Sequence, residues 1–320
     1  MTPQKPSPRQ PTEPPLPLAL LLLTLLSACS SNKPTVVTTD CKQLPSQMQG
    51  IVKLLENCEG SQDHPIEPLT IEEPGTIFNG NGHLYALASE TRAPVITVTA
   101  PNVQIRNITL KNGLAGIKVE PGASVLLANV HTTANDYGLV FGDYPSTKAL
   151  PPLKSSPQQD KLGARGQSSS SWSSGFFIRS ARAEDSVACP DNNETPVYLD
   201  SNHSYLCGTT NIDNASLAGL VVNNNQTVTV LGGWLKVSGR TVAIGIMSGT
   251  LHVTAPAHVS VVQPYRLALL VRGNSALSCE NDGMQLEIPP PRRPSSEADS
   301  EADTDTYGKI EKCTFPPPPA

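Results

Sequence analysis

Two aspartates, Asp136 and Asp143, come closest in type and spacing to a catalytic pair. A pair of carboxyl groups can act as general acid and general base on a glycosidic bond. Asp136 follows Asn135 and Asp143 follows Gly142, so both stand where turns are expected. Residues of these types also favour turns for conformational reasons alone. The two aspartates are therefore candidates for catalysis, with turn capping as the favoured alternative.

The other reactive side chains predict no metal or nucleophile site. The chain has no Cys-x-x-Cys pair and its six histidines are scattered, whereas zinc sites need closely spaced cysteine and histidine ligands. Asp213 lies between Asn211 and Asn214 and could bind calcium in a loop. The same three residues are also typical of a turn. We expect no cofactor, with calcium at Asp213 as the one alternative.

Exposed aromatic rings would indicate sugar binding, because an aromatic ring stacks on the face of a sugar. Aromatic residues make up only 4% of the chain. The candidates are Trp172, Trp234 and Tyr265. For Trp234, local packing at a turn is the alternative.

A repeat of 21 or 22 residues must position these side chains. Apolar residues alternate with polar ones, which indicates strands with one buried face. So short a repeat cannot bury its apolar set alone and must stack on its neighbours. This predicts the coils of a parallel β-solenoid. The repeated positions are Ile96/Val98, Ile117/Val119 and Leu139/Phe141 in one strand, Val103/Ile105 and Val125/Leu127 in the next, and Ile108/Leu110 and Val130/Thr132 in the third.

A second repetitive block follows, with a period near 24 residues. A β-sandwich of short strands is the alternative for this block, but its three-strand rhythm favours further coils of the solenoid. The repeated positions are Leu220/Val222, Ile244/Ile246 and Ala268/Leu270, then Val228/Val230 and Leu251/Val253, then Leu235/Val237 and Val259/Val261.

Two asparagines, Asn107 and Asn129, stand 22 positions apart. In stacked coils their amides would lie about 4.8 Å apart and could form a hydrogen-bonded ladder. The alternative is two ordinary turn residues, because asparagine tolerates left-handed backbone geometry.

The segments Gly80-Asn81-Gly82-His83 and 101–113 resemble the pectate-lyase-like right-handed β-helix superfamily. The resemblance covers residues 69–143 and, in rhythm only, 215–275. It implies an all-β, right-handed parallel β-helix, in a superfamily whose enzymes cleave acidic polysaccharides by lysis or hydrolysis. For a lyase, the resemblance implies an arginine base, for which Arg106, Arg179 and Arg272 are available. It also implies carboxylates that hold calcium, but no acidic cluster precedes these arginines. The hydrolase set is also incomplete, since no Asp-Asp pair follows Asp143 and Ile178-Arg179-Ser180 lacks a lysine.

The N-terminus carries an export signal. Lys5 and Arg9 precede an apolar run that is too short to span a membrane as a mature helix. The run ends in Leu26-Ser27-Ala28-Cys29, which resembles the lipobox of bacterial lipoproteins. That resemblance implies a signal peptide over 1–28, a lipid such as palmitate on Cys29, and a tether over 29–40. It places the protein in the cell envelope, at the outer membrane. An ordinary cleaved signal peptide is the alternative, and scattered Asn-x-Ser/Thr sequons point toward glycosylation instead.

The six remaining cysteines form an even set for an oxidising compartment. Pairing of sequence neighbours is the expected arrangement, although six cysteines permit 15 connectivities. The expected pairs are Cys41–Cys58, Cys189–Cys207 and Cys279–Cys313.

Three segments are expected to depart from the coils. Apolar residues at helical spacing between Cys41 and Cys58 predict a capping helix over the first coil. Residues 144–172 are rich in proline, serine and lysine and predict a disordered insert. Residues 289–320 predict a low-complexity tail. The β-helix domain then spans 41–288.

Global charge points away from nucleic acid, because the net charge is -5 and only 16% of residues are charged. We therefore expect a non-catalytic β-helical lipoprotein, anchored through Cys29, that binds glycan or an envelope protein. The rival is a divergent polysaccharide lyase or glycoside hydrolase with its groove beside 144–172.

Overall fold

The chain forms a parallel β-solenoid of about seven turns. The structure is a computed structural model and describes residues 36–44, 48–146, 189, 197–264, 267–280, 285–287 and 308–313. Every strand pairing within those ranges is parallel. A β-sandwich is built from antiparallel sheets, so the parallel pairing excludes that alternative.

The strands are short, and no helix occurs in the described part of the chain. In chain order they are β1 (Val36–Thr39), β2 (Ile51–Leu54), β3 (Cys58–Glu59), β4 (Leu69–Ile71), β5 (Ile77–Asn79), β6 (Leu84–Ala86), β7 (Ile96–Val98), β8 (Val103–Lys111), β9 (Ala115–Val119), β10 (Val125–Thr133), β11 (Tyr137–Phe141), β12 (His203–Ala215), β13 (Ala218–Val222), β14 (Gln226–Val230), β15 (Trp234–Gly239), β16 (Val242–Ile246), β17 (Gly249–Val253), β18 (His258–Pro264), β19 (Leu267–Val271), β20 (Ala276–Cys279), β21 (Gln285–Glu287) and β22 (Lys309–Glu311).

Two sheets wrap the core. One has seven strands, in the order β4-β7-β9-β11-β13-β16-β19. The other has fifteen strands and includes two walls, because β8, β10 and β12 each contribute to both. Its first wall runs from β1 and β2 through β5, β8, β10, β12, β14, β17 and β20 to β22. Its second wall continues from the later halves of β8, β10 and β12 into β15, β18 and β21.

The predicted register is confirmed across the first block. Ile96, Ile117 and Leu139 are direct neighbours on successive strands, and Leu139 pairs onward with Leu220 despite the long insert. Their side chains are fully buried. Inward side chains from Met48 to Cys279 form one continuous apolar core. The column of stacked aliphatic residues is therefore the main stabilising element of the fold.

The last step of the second block was predicted one residue out of register. Ile244 and Ile246 pair with Leu269 and Val271, not with Ala268 and Leu270. A slip of one residue moves a side chain to the opposite face of a sheet. Between Val261 and Pro264, β18 carries one residue more than β15 does between Val237 and Gly239, so the spacing from Ile244 becomes 25.

The predicted capping helix between Cys41 and Cys58 is wrong for its second half. Ile51–Leu54 is a strand, β2, which pairs with β1 on one side and β5 on the other. Leu55, on the expected buried face of a helix, is 57% exposed. Pairing between two strands satisfies the backbone of β2, and a short apolar run does not distinguish strand from helix by periodicity.

Glycines let the seven-stranded sheet approach the second wall. Gly116, Gly138 and Gly219 lie on successive strands and have no room for a Cβ. In each case the added atom would overlap a side chain of the wall opposite, from Thr132, Ile212 and Val237 respectively. This close approach was not predicted from the sequence.

The asparagine ladder is present and extends over three strands. The Asn129 side-chain amide donates to Asn107 Oδ1 at 3.2 Å, and the Asn107 amide donates to Asn79 Oδ1 at 3.3 Å. Asn107 and Asn129 also have positive φ, at 49° and 55°. The two interpretations of these residues are therefore both correct, since the amides stack at a corner that requires left-handed geometry.

The three predicted cysteine pairs are at disulfide distance, with Cα–Cα separations of 5.4, 5.5 and 5.0 Å. The Cys279–Cys313 pair joins the tail to the last coil, and part of the predicted tail forms β22, which pairs with β20. No helix in the described ranges is long and apolar enough to cross a membrane. The signal peptide, the lipidation site, most of the predicted insert and the rest of the tail lie outside those ranges.

Candidate binding face

Asp136 and Asp143 do not come together. They flank the two ends of β11, and at about 3.3 Å per residue seven residues of strand span roughly 20 Å. The paired carboxyl groups of glycosidases lie about 5–9.5 Å apart. Each aspartate is also engaged locally: Ser216 Oγ donates to Asp136 Oδ1, and the Asn224 amide donates to Asp143 Oδ2 at 2.8 Å.

The outer face of the seven-stranded sheet carries no carboxylate pair at the central outward position of the strands from β7 to β13. Thr97, Lys118, Val140 and Val221 are successive neighbours there. Arg106 is 5% exposed on the first wall, where its guanidinium donates to Gln104 Oε1. Arg272 follows β19, and Arg179 lies outside the described residues.

The second wall of the larger sheet presents polar and aromatic side chains in register. We call its outward set the Trp234 face. Asn211 on β12 pairs with His131 on one side and Lys236 on the other, and Trp234 pairs with His258. The members of the face are His131, Asn211, Asp213, Trp234, Lys236 and His258.

Trp234 is held at the surface by the turn that precedes β15. Gly232 and Gly233 have φ of 126° and 77°, a geometry that favours glycine, and Gly233 packs directly against the backbone of Gly208. Side chains along β15 alternate from exposed to buried, beginning with Trp234 at 39% exposed. The turn therefore directs the indole outward.

The indole of Trp234 is supported from one side. The His258 ring stacks on it, with centroids 4.4 Å apart and planes 11° from parallel. The Lys236 ammonium lies 5.4 Å from the indole centroid, within range of a cation–π interaction. The ring is thus an exposed platform of fixed orientation.

His131 and Asp213 form the polar end of the face. His131 Nε2 lies 2.9 Å from Asp213 Oδ2, and the two side chains are 39% and 49% exposed. A carboxylate only accepts, so this hydrogen bond places a proton on Nε2 of His131. Nδ1 of a neutral ring is then an acceptor. Asp213 is bound to His131, and no group of three histidine, cysteine or acidic side chains in the described part of the chain could hold a metal ion.

A second polar column lies on the first wall. His203 Nε2 lies 2.9 Å from Thr229 Oγ1, and His252 Nδ1 lies 3.2 Å from Ser278 Oγ. Burial lowers the pKa of His203 from its ordinary value, and the neighbouring His252 lowers it further while Asp200 opposes the shift. The Tyr205 ring stacks on His203 with centroids 4.6 Å apart. The Tyr205 ring is 9% exposed, so it offers a ligand much less surface than Trp234 does.

Sequence reasoning found part of the Trp234 face. Trp234 and Asp213 were candidates, for sugar stacking and for calcium. His258 was within reach, because it stands 24 residues after Trp234, in the same phase as the predicted Leu235/Val259 pair. His131 could not be predicted as a member of this face, because the insert between β11 and β12 separates it from Asp213 by 82 residues. Trp172 and Tyr265 lie outside the described residues.

Comparison of the chain with protein-family models, with curated proteins and with solved structures finds no significant match. The class of this protein therefore follows from its architecture alone, as a parallel β-solenoid with a polar, aromatic-bearing wall. A fold of this class does not by itself define an activity.

Proposed function

We propose that this protein is a non-catalytic envelope lipoprotein whose Trp234 face binds glycan. The observation that carries the proposal is the exposed indole of Trp234, backed by His258 and flanked by Lys236. An exposed aromatic ring held in one orientation loses little conformational entropy when it stacks on a sugar.

The neighbouring side chains suit a chain of sugar hydroxyls. The Asn211 amide nitrogen and the Lys236 ammonium offer donors, and His131 Nδ1 and the Asp213 carboxylate offer acceptors. Their spacing along the wall repeats with the strands, about 4.8 Å apart. A polymer that lies across the coils would therefore meet His131, Asn211 and Lys236 in succession.

The test is glycan binding by the mature protein and its variants, measured by affinity electrophoresis and on a glycan array. Trp234→Ala should weaken binding at least tenfold, about 1.4 kcal/mol, while Trp234→Phe should retain most of it. Tyr198→Ala is the matched control, because Tyr198 is 88% exposed and outside the Trp234 face. Equal binding by Trp234→Ala and wild type would contradict the proposal.

Anchoring to the envelope, in the outer membrane, rests on Cys29 and the residues before it. Six of the seven cysteines lie at bonding distance in three pairs, so Cys29 has no cysteine left to pair with. This supports the lipidated form over an ordinary cleaved signal peptide. Expressed in a Gram-negative host, the wild type should incorporate labelled palmitate and sediment with outer membranes, and Cys29→Ala should do neither. Labelling of both proteins would contradict the assignment.

A second function is supported by the His131–Asp213 pair. A histidine oriented by a carboxylate can act as a general base, and Lys236 lies on the same wall. The alternative is therefore a polysaccharide lyase or hydrolase of unusual design. Incubation with uronate-containing polysaccharides distinguishes the two, since an enzyme would release unsaturated or reducing ends and lose this activity in His131→Ala. The binding proposal predicts no such release.

A further inference from the structure

A cavity of about 720 Å³ opens at the N-terminal end of the solenoid and shares no lining residue with the Trp234 face. It lies between β3, the segment 60–68 and β4. That segment is fixed at both ends, where Gly60 N donates to Ala86 O at 2.8 Å and Leu69 N to Val95 O at 2.9 Å.

The floor of the cavity is apolar and rigid. Met48, Leu69 and Tyr85 form its base and are almost completely covered, so its accessible apolar surface comes from the half-buried Leu44 and Ile66. Ile66 packs against the same core from the segment above. The Tyr85 hydroxyl donates to the Glu67 carbonyl at 2.7 Å, which ties that segment to the floor. An aliphatic group entering the cavity would therefore meet a preformed apolar surface.

The rim of the cavity is acidic. Glu59, Glu67 and Glu72 contribute three carboxylates, and Lys42 is the one lysine or arginine among the described lining residues. None of the three glutamates forms an ion pair with another described residue. Their negative charge is thus not neutralised within this part of the chain.

We propose that this cavity binds a peptide segment that carries a lysine or arginine beside an aliphatic side chain. The aliphatic group would lie against Leu44 and Ile66, and the cation would face Glu67 and Glu72. The volume lies within the range of about 300–1,000 Å³ that is usual for ligand sites. Charge complementarity selects a basic partner. The apolar surface of the cavity additionally selects a partner with an aliphatic side chain next to its positive charge.

The experiment uses the mature full-length protein and a fluorescein-labelled hexapeptide of alternating leucine and lysine. Binding is followed by fluorescence anisotropy at two salt concentrations. Two peptides serve as controls: a leucine–glutamate hexapeptide tests the need for positive charge, and a serine–lysine hexapeptide tests the need for the apolar floor. Both should bind at least tenfold more weakly than the leucine–lysine peptide.

The protein variants separate this cavity from the general acidity of the chain. E67Q/E72Q should weaken binding of the leucine–lysine peptide roughly threefold to tenfold, because exposed ion pairs contribute modestly to affinity. E56Q/E90Q removes the same charge at glutamates that do not line the cavity and should bind like the wild type. W234A should also leave peptide binding unchanged, so failure of the glycan proposal and failure of this one are distinguishable.

Three results would overturn the inference. One is equal weakening by E67Q/E72Q and E56Q/E90Q, which would indicate attraction by net charge alone. Another is binding of the serine–lysine peptide as tight as that of the leucine–lysine peptide, which would assign the site to a simple cation. The third is no saturable binding of any peptide by the folded wild-type protein.

Discussion

Gly138 is a residue whose importance lies in the atom it lacks. A Cβ at this position would overlap Ile212 Cγ2 and the Gly219 carbonyl oxygen. Since both belong to packed β-structure, neither can move without disturbing a neighbouring coil. The glycine is therefore required by the distance between two walls and not by its own backbone angles.

Gly138→Ala should lower the free energy of unfolding by about 1–3 kcal/mol, the usual cost of overpacking a core. Gly245→Ala is the matched control on the same sheet, because its added Cβ would meet only the mobile end of Met247, at 3.1 Å. Denaturant unfolding of both variants measures the difference. A Gly138→Ala protein as stable as Gly245→Ala would show that the walls can separate.

His203 should make the stability of the protein depend on pH. Burial lowers its pKa in the folded state, with His252 adding to the shift and Asp200 opposing it. Its protonation therefore favours the unfolded chain, where the pKa is about 6.5. The neutral His203 ring makes its full contribution to the stability of the folded state above that pH. This contribution is lost as the pH falls through the lower pKa of the folded state.

The measurement is the midpoint of thermal unfolding between pH 7.5 and 5. Carboxylates elsewhere also titrate in this window, so the informative quantity is the difference between the wild type and His203→Gln. Glutamine can still bond Thr229 but does not titrate. The wild type should lose more stability than His203→Gln on acidification, and parallel pH profiles would contradict the assignment.

The ladder of Asn79, Asn107 and Asn129 acts at the scale of the strand corner. The central member, Asn107, combines two amide hydrogen bonds with a φ of 49°. Asn107→Ala should cost about 2–4 kcal/mol, because it loses both bonds and because alanine tolerates the left-handed region less well than asparagine. Asn107→Gly should be about 1–2 kcal/mol less harmful, since glycine adopts this φ freely. Equal losses in the two variants, measured by chemical denaturation, would rule out a backbone contribution.

Elements that follow directly along the chain could be predicted from the sequence. The pairing of Ile96 with Ile117, and of Ile117 with Leu139, follows from a spacing that is constant while each coil has the same turns. Prediction fails where a strand gains a residue, as β18 does between Val261 and Pro264, because a single residue reverses which side chains are buried.

The capping helix was wrongly predicted for a related reason. Leu44, Met48, Val52 and Leu55 have helical spacing in the sequence. Two turns and a short strand can give the same spacing, and the available edges of β1 and β5 favour the strand at Ile51–Leu54. The Trp234 face was hard to predict because its partners come from coils separated by an insert. Only the three-dimensional register shows that Asn211 lies between His131 and Lys236.

At the scale of the whole molecule, each coil contacts mainly the coils before and after it, so stability is distributed along one axis. The ends are then the weakest regions, because each presents unpaired strand edges. At the C-terminal end, residues 309–311 form β22, which pairs with the edge of β20, and the Cys279–Cys313 pair holds them there. The N-terminal end has a corresponding pair, Cys41–Cys58.

Release of β22 should therefore loosen one end of the solenoid and leave its middle unchanged. Cys313→Ser opens a loop of 34 residues, for which loss of the cross-link should cost about 3–4 kcal/mol. Because coils interact with their neighbours, hydrogen exchange should accelerate in β20 and β22 and remain slow in β8 and β10. The double variant Cys279→Ser/Cys313→Ser should behave the same way, which excludes an effect of the free thiol.

Cys41→Ser/Cys58→Ser should instead accelerate exchange in β2 and β3. Faster exchange along the entire chain in either variant would mean that the solenoid unfolds as a single unit, and that its two ends are not independently stabilised.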